Sequence, residues 1–262
     1  MNIFEAIFFG LIQGLTEFLP VSSSGHLALF KHLFEIDFEK FGMSFDISLH
    51  IATIIAVIIV LRKDIWEILK KPFQKVTLYI IIATIPAAVI GVLFNDKVEA
   101  VGSVLWMVGV CFLVTGVVLY FSDVISKSKS EKRPLSEATL KDAVFTGCAQ
   151  AVGVLPGISR SGSTISGGLI SGMSREAATR FSFLMSIPII LGSCVFDLKD
   201  VFSTGIEAEI IMPTLVGMIA AGISGFLACK FMINYIKKKG MKIFVYYMFA
   251  VGIFSILWDL LT

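Results

Sequence analysis

Glu17, Ser22, Ser23, Ser24 and His26 form one polar cluster in strongly apolar sequence, and Ser159, Arg160, Ser161 and Thr164 form another. The first brings a carboxylate, three hydroxyls and an imidazole. The second brings a permanently charged guanidinium and more hydroxyls. Both clusters sit where helices should begin, and free N–H groups together with the helix dipole make such starts anion sites. Arg160 adds a planar fork matched to phosphate oxygens. Gly25, Gly157 and Gly162 let backbone approach a ligand closely. The expected ligand is a polyanion, phosphate or pyrophosphate, bound by Ser22, Ser24, Gly25, Ser159, Ser161, Gly162 and Thr164. Helix capping alone would account for one serine at each start and leaves the others unexplained.

Gln13 and Glu17 are four positions apart, so a helix puts both on one face. Two such groups can help hold a hard divalent cation, its shell completed by phosphate oxygens and water. His26 follows the serine run and is suited to activate a hydroxyl or water, or to protonate a leaving phosphate. A plain hydrogen-bonding role is the competing reading. His50 either supports the site from behind or packs, with packing favoured; His32 reads as interfacial; Arg180 either reaches substrate phosphate or snorkels to the cytoplasmic side, with snorkelling favoured. A purely structural Glu17–Arg160 ion pair competes with the functional reading, yet ionisable groups inside a membrane mark functional sites by default.

The two clusters are copies. A shift of 137 positions carries Glu5 onto Asp142, Gly10 onto Gly147, Gln13 onto Gln150, Ser22 onto Ser159, and Ser24-Gly25 onto Ser161-Gly162. Where the copies differ they complement each other: Glu17 falls on Val154, Ser23 on Arg160 and His26 on Ser163. One copy carries acid and imidazole; the other carries the cation.

The elements that must position these groups are membrane helices. The 262 residues are 56% hydrophobic and only 16% charged, and the mean hydropathy is +0.88. Soluble domains carry about a quarter charged residues, so the chain reads as an all-α polytopic membrane protein with no soluble domain. No basic run precedes the first apolar segment, and no cleavable signal is expected. The four cysteines are scattered singly, which suggests neither a disulfide framework nor a zinc site. Nothing calls for a nucleic-acid partner; membrane lipid is the expected surrounding, and a homo-oligomer is compatible with the sequence.

Ten helical segments are expected, at 3–18, 22–34, 44–62, 76–94, 101–121, 140–155, 161–172, 175–196, 211–235 and 241–260. Six can cross about 30 Å of hydrocarbon at about 1.5 Å per residue: 44–62, 76–94, 101–121, 175–196, 211–235 and 241–260. The other four form two pairs broken at the polar clusters. A polar break at membrane depth is tolerated only against protein or a cavity, so each pair reads as a re-entrant hairpin; two full spans with a polar outer loop are the alternative. The basic loops 62–75, 122–142 and 236–242 belong in the cytoplasm, and this threading puts all three there. Segment 64–73 reads as a short amphipathic helix at that interface. Each half is then a re-entrant hairpin plus three transmembrane helices. Three is odd, so the second half is inverted and the two clusters meet near the midplane. The chain is one integral-membrane domain: first repeat 1–125, a polar and mobile cytoplasmic linker 126–139, and an inverted second repeat 140–262.

Gln13-Gly14-Leu15-Thr16-Glu17-Phe18-Leu19-Pro20-Val21-Ser22-Ser23-Ser24-Gly25-His26 resembles one signature of the bacterial undecaprenyl-diphosphatases, the bacitracin-resistance family. It matches their (Glu/Gln)-x-x-x-Glu motif and the Ser/His segment after it. Pro156-Gly157-Ile158-Ser159-Arg160-Ser161-Gly162-Ser163-Thr164 resembles their Pro-Gly-x-Ser-Arg-Ser-Gly-x-Thr signature. The resemblance covers the whole chain. It implies hydrolysis of undecaprenyl diphosphate to undecaprenyl phosphate, recycling the carrier lipid of peptidoglycan synthesis, with bacitracin resistance as a result. It implies a divalent cation, Mg2+ or Ca2+, and a place in the bacterial cytoplasmic membrane with the active site open to the outer, periplasmic face. By carry-over, Gln13 and Glu17 handle metal or proton transfer, Ser23 and His26 serve as nucleophile and acid/base, and Arg160 holds the phosphates. Ser23 activated by His26 is one candidate attacker, and a water activated by Glu17 or the metal is the other.

Two rivals stand beside this reading. The other common lipid-phosphatase superfamily needs a histidine six residues after its Ser-Arg pair, and here Ser166 stands there. A polyprenyl-phosphate transporter or flippase would also use an inverted repeat with broken helices.

Overall fold

The computed structural model describes residues 2–35, 42–128, 132–204 and 208–262. Asp37, Glu39, Lys40, Lys129 and Glu207, which enter the charge asymmetry, lie outside these, as do the side chains of Asp197, Lys199 and Asp200. The described residues form twelve α-helices: α1 (Ile3–Phe18), α2 (Ser23–Leu33), α3 (Gly42–Val60), α4 (Arg62–Lys70), α5 (Lys75–Leu93), α6 (Asn95–Gly102), α7 (Leu105–Ser128), α8 (Leu140–Val152), α9 (Arg160–Ser171), α10 (Arg175–Thr204), α11 (Ala208–Lys239) and α12 (Lys242–Leu261). Among the described residues no strand forms beyond one isolated bridge between Arg133 and Met173.

Five helices, α5, α7, α10, α11 and α12, are long and apolar enough to cross a membrane. The pair α3 and α4, bent by 80° at Leu61, is a sixth candidate. The chain is thus a multi-pass membrane protein. Helices α1, α2, α8 and α9 are too short to cross and are broken where the polar clusters fall; α4 and α6 are shorter still. Helix α4 buries none of its residues and exposes Trp66 and Leu69, as the amphipathic pattern predicts.

Three expectations need correction. The connection between the segments at 76–94 and 101–121 is itself a helix, α6, in which Asn95 Nδ2 donates to Glu99 one turn on at 2.7 Å. The following helix starts later and runs on to Ser128, because its polar end is buried and paired: Asp123 takes Arg175 at 2.6 Å and Lys127 at 2.7 Å. The polar linker is also anchored rather than loose over residues 132–139. Arg133 grips the buried carboxylate of Asp142 with both Nη atoms, at 2.6 and 2.7 Å, and Arg133 Nη2 donates to Ser171 O at 3.0 Å. A bidentate fork of this kind fixes both position and orientation.

The repeat seen in sequence is present in the caps. Asn2 and Glu5 form a capping box at the start of α1, and Thr139 and Asp142 form one at the start of α8. Ser22 caps α2 by accepting from Gly25 N at 3.3 Å, and Ser159 caps α9 by accepting from Gly162 N at 3.0 Å. In each case the partners differ by the same 137 positions. These side chains take up orphan N–H groups that a helix start would otherwise leave bare.

The halves pack crosswise. Helix α1 lies along α11 and α8 along α5, while α7 pairs with α12 and α3 sits against α10 and α11. Small residues permit the first two contacts. A Cβ on Gly147 would lie 2.9 Å from Ala83 O, and one on Gly10 would overlap Gly217 O. Phe18, Phe112, Phe181 and Phe183, all fully buried, belong to the main apolar cluster, and the rings of Phe18 and Phe183 meet edge to face with centroids 5.2 Å apart.

Candidate active site

The residues between α1 and α2 meet those between α8 and α9. Ser22 adopts φ 68°, a left-handed conformation that a non-glycine residue holds only when its surroundings over-determine it. Its hydroxyl accepts from Gly25 N and, across the repeat, from Gly157 N at 3.2 Å. Gly157 has φ 92° and sits against α7, where a Cβ would fall 2.5 Å from Val108 O. Thr115 of α7 donates to Gly157 O at 3.2 Å and accepts from Ser159 N at 3.1 Å. In the other direction Ser161 Oγ donates to Leu19 O at 2.8 Å. The two breaks are therefore stitched to each other by hydroxyls from both halves.

Around this seam lies a cavity of about 560 Å³. Glu17, Ser22, Ser23, Ser24, Ser159, Arg160 and Ser161 line it together. Glu17 is 5% exposed, and Arg160 Nη2 donates to its Oε1, closing an ion pair between the two halves. Ser23 Oγ donates to the other oxygen, Oε2, at 2.6 Å. Gln13 Nε2 donates to that same oxygen at 3.0 Å. A carboxylate so held can receive a proton from the serine hydroxyl, and the arginine beside it can bind an anion. Apolar side chains of α5 and α10, among them Val92, Ile189 and Ile190, form another part of the wall.

Several residues stand elsewhere than the sequence suggests. His26 is 2% exposed and does not line the cavity. Its Nδ1 bonds the carbonyl of Ser22 at 2.7 Å, so Nδ1 carries the proton, and Nε2 meets the hydroxyl of Tyr247 at 2.7 Å. The imidazole faces α7 and α12, with Phe112 edge-on at 5.2 Å, and makes no bond to Ser23. Gly25, Gly162 and Thr164 also lie outside the lining. Gly25 packs against Phe112 and Gly157, and Thr164 is buried on Ser182 Oγ at 2.6 Å. Gln13 is fully buried behind Glu17, with its Oε1 lacking any donor. Arg180 bonds Asp64 at 2.7 Å and Glu176 at 3.2 Å, away from the cavity.

Two residues escaped sequence reasoning. His50 of α3, read as packing, lines the cavity and meets Gln13 Nε2 through Nδ1 at 3.0 Å. Tyr247 holds His26 from the last helix, 221 positions away. Neither lies in a motif, and only the fold brings them in.

The family model described as Bacitracin resistance protein BacA matches residues 6–254. The chain belongs to the BacA bacitracin-resistance family. Among its relatives, a protein named Undecaprenyl-diphosphatase from Carboxydothermus hydrogenoformans is 43% identical, with 97% of this chain and 96% of that protein covered. One named Undecaprenyl-diphosphatase 4 from Bacillus thuringiensis is also 43% identical, over 98% of this chain and 97% of the other. A third, named Undecaprenyl-diphosphatase, from Alkaliphilus metalliredigens, is 39% identical over the whole of both chains. The match to the BacA family takes in both polar clusters, and so every residue of the cavity named above.

Proposed function

We propose that the chain is a membrane phosphatase that hydrolyses undecaprenyl diphosphate to undecaprenyl phosphate and inorganic phosphate, and that it confers bacitracin resistance in doing so. The single observation that carries this reading is the triad of Ser23, Glu17 and Arg160, with Glu17 buried at its centre: hydroxyl on carboxylate, carboxylate on guanidinium, drawn from both halves. The names of the relatives support the substrate. The apolar wall of the same cavity suits the lipid chain next to the diphosphate. No observation favours the transporter reading.

In this mechanism the diphosphate draws Arg160 from Glu17 onto the terminal phosphoryl oxygens, which leaves Glu17 free to take a proton. Ser23 Oγ attacks the terminal phosphorus as its proton passes to Glu17 Oε2 over the 2.6 Å bond. The bond from that phosphorus to the bridging oxygen breaks, and the oxygen leaves with the electron pair as part of undecaprenyl phosphate. Water then attacks the phosphorus of the phosphoserine; the P–Oγ bond breaks, Glu17 returns its proton to Ser23 Oγ, and both protons of the water leave with the inorganic phosphate. Ser22 and Ser159 hold the two breaks in register, while Ser24 and Ser161 stand in the lining beside the phosphoryl position. His26 braces Ser22 and takes no proton in this scheme.

A magnesium or calcium ion fits the donor set. Glu17 supplies one carboxylate, Gln13 supplies a buried Oε1 without a donor, and both are hard oxygens. Among the described residues no three His, Cys, Asp or Glu groups gather into a cage. The remaining ligands would therefore be water and substrate oxygens, as is usual for magnesium with phosphates. When bound, the ion would offset charge on the diphosphate oxygens.

We further read the fold as an inverted repeat of two re-entrant hairpins with three spans each, lying in the cytoplasmic membrane with the cavity open to the outer face. The crosswise packing and the repeated caps support it. The test of function is direct. Purified protein in detergent should release phosphate from undecaprenyl diphosphate, and a chelator should stop release until Mg2+ or Ca2+ is restored. Absence of release in the presence of the ion would end this reading.

A further inference from the structure

Gln13 links two groups. Its amide nitrogen donates to Glu17 Oε2 at 3.0 Å and reaches His50 Nδ1 at 3.0 Å. The carboxylate decides which way the amide points, since an amide oxygen in that place would face another acceptor. An amide nitrogen only donates, so Nδ1 of His50 must accept, and in the neutral ring the proton sits on Nε2. Among the described residues nothing pairs with Nε2. His50 lines the same cavity as Ser23 and Arg160. Its ring is thus held at a wall of the site with a donor to spare.

We propose that His50 is a phosphate-binding residue, donating Nε2–H to an oxygen of the lipid diphosphate, and that Gln13 is the positioning residue that sets its tautomer. This rests on the phosphatase reading and deepens it. The chemistry complements the arginine. Arg160 already shares its charge with Glu17, so a neutral N–H donor adds a bond to the anion without placing a second unpaired cation in a buried site. The assignment also distinguishes the two buried-site histidines. His26 carries its proton on Nδ1, because Ser22 O can only accept, whereas His50 carries its own on Nε2.

The experiment uses the full chain in detergent with undecaprenyl diphosphate as the probe. Binding is measured in the Ser23→Ala protein, which traps the unreacted lipid. Adding His50→Phe should weaken binding by about tenfold or more, the loss of a hydrogen bond to a charged group. His50→Gln, which keeps an N–H donor, should recover most of it. Nitrogen spectra of the unmutated protein labelled at its three histidines should show His50 as the Nε2–H tautomer, and Gln13→Leu should turn it into a mixture. Unchanged affinity in His50→Phe, or a His50 proton found on Nδ1, overturns the proposal while normal turnover leaves the phosphatase reading standing. No turnover by the unmutated protein overturns both.

Discussion

Arg160 and Glu17 form an ion pair between the two halves of the chain, 143 positions apart in sequence, at the seam of the two broken helix pairs, with Glu17 buried and Arg160 partly exposed. Among the described residues neither charge has another ion-pair partner. Losing one strands the other, which is costly in a site of low dielectric.

Arg160→Lys is expected to lower kcat/KM for undecaprenyl diphosphate by about 10²–10³-fold, since a point charge replaces a fork that holds Glu17 in the resting site and the phosphoryl oxygens once substrate is bound. Steady-state phosphate release in detergent measures this. Turnover within tenfold of the unmutated protein would contradict the clamp.

Ser23→Ala should abolish turnover, and a brief reaction of the unmutated protein, quenched in acid, should leave phosphate on Ser23 alone. Mass spectrometry of the quenched peptide reads it. Slow turnover surviving in Ser23→Ala would point instead to a water activated by Glu17.

His26 is expected to matter as a brace. Tyr247→Phe removes one donor to its ring and should cost about fivefold in kcat, near 1 kcal/mol, with KM unchanged. His26→Asn should reduce kcat further yet keep the shape of the pH–rate profile. Disappearance of one limb of that profile would make His26 an acid or base after all.

Asp142→Ala should destabilise the protein by about 2–4 kcal/mol, discounted because Arg133 remains 26% exposed. Thermal unfolding in detergent should show the loss. Activity below the new midpoint should stay near normal, since Asp142 and Arg133 lie outside the cavity.

Much of the site was legible in sequence because a polar group in an apolar chain is conspicuous. Glu17, Ser23, Arg160 and the serine caps were visible on type and spacing, and the 137-position echo told that they meet. What was not legible is direction. Adjacent residues on a helix start face different ways, so Ser23 turns to Glu17 while His26, three positions on, turns to Tyr247. His50 and Tyr247 sit in long apolar helices where one polar residue carries no periodic signal, and only tertiary packing decides what it touches. The extra helix α6 and the extension of α7 were hidden for a related reason. Hydropathy marks where a helix is apolar, not where it stops, and buried pairs such as Asp123 with Arg175 carry a helix past its apolar end.

The crosswise packing has a bearing on how the chain is made. Helix α1 leaves the ribosome first, yet its packing surface is α11, one of the last elements synthesised. Until α11 arrives, Gln13 and Glu17 have no α11 to shield their helix, and until Arg160 arrives the carboxylate has no counter-ion. A chain cut short before α11 would leave the Gly10 and Gly14 face of α1 without the helix it packs on. The two needs of α1 are therefore met in turn: the counter-ion of Glu17 arrives with α9, and the helix on which Gly10 and Gly14 pack arrives only with α11.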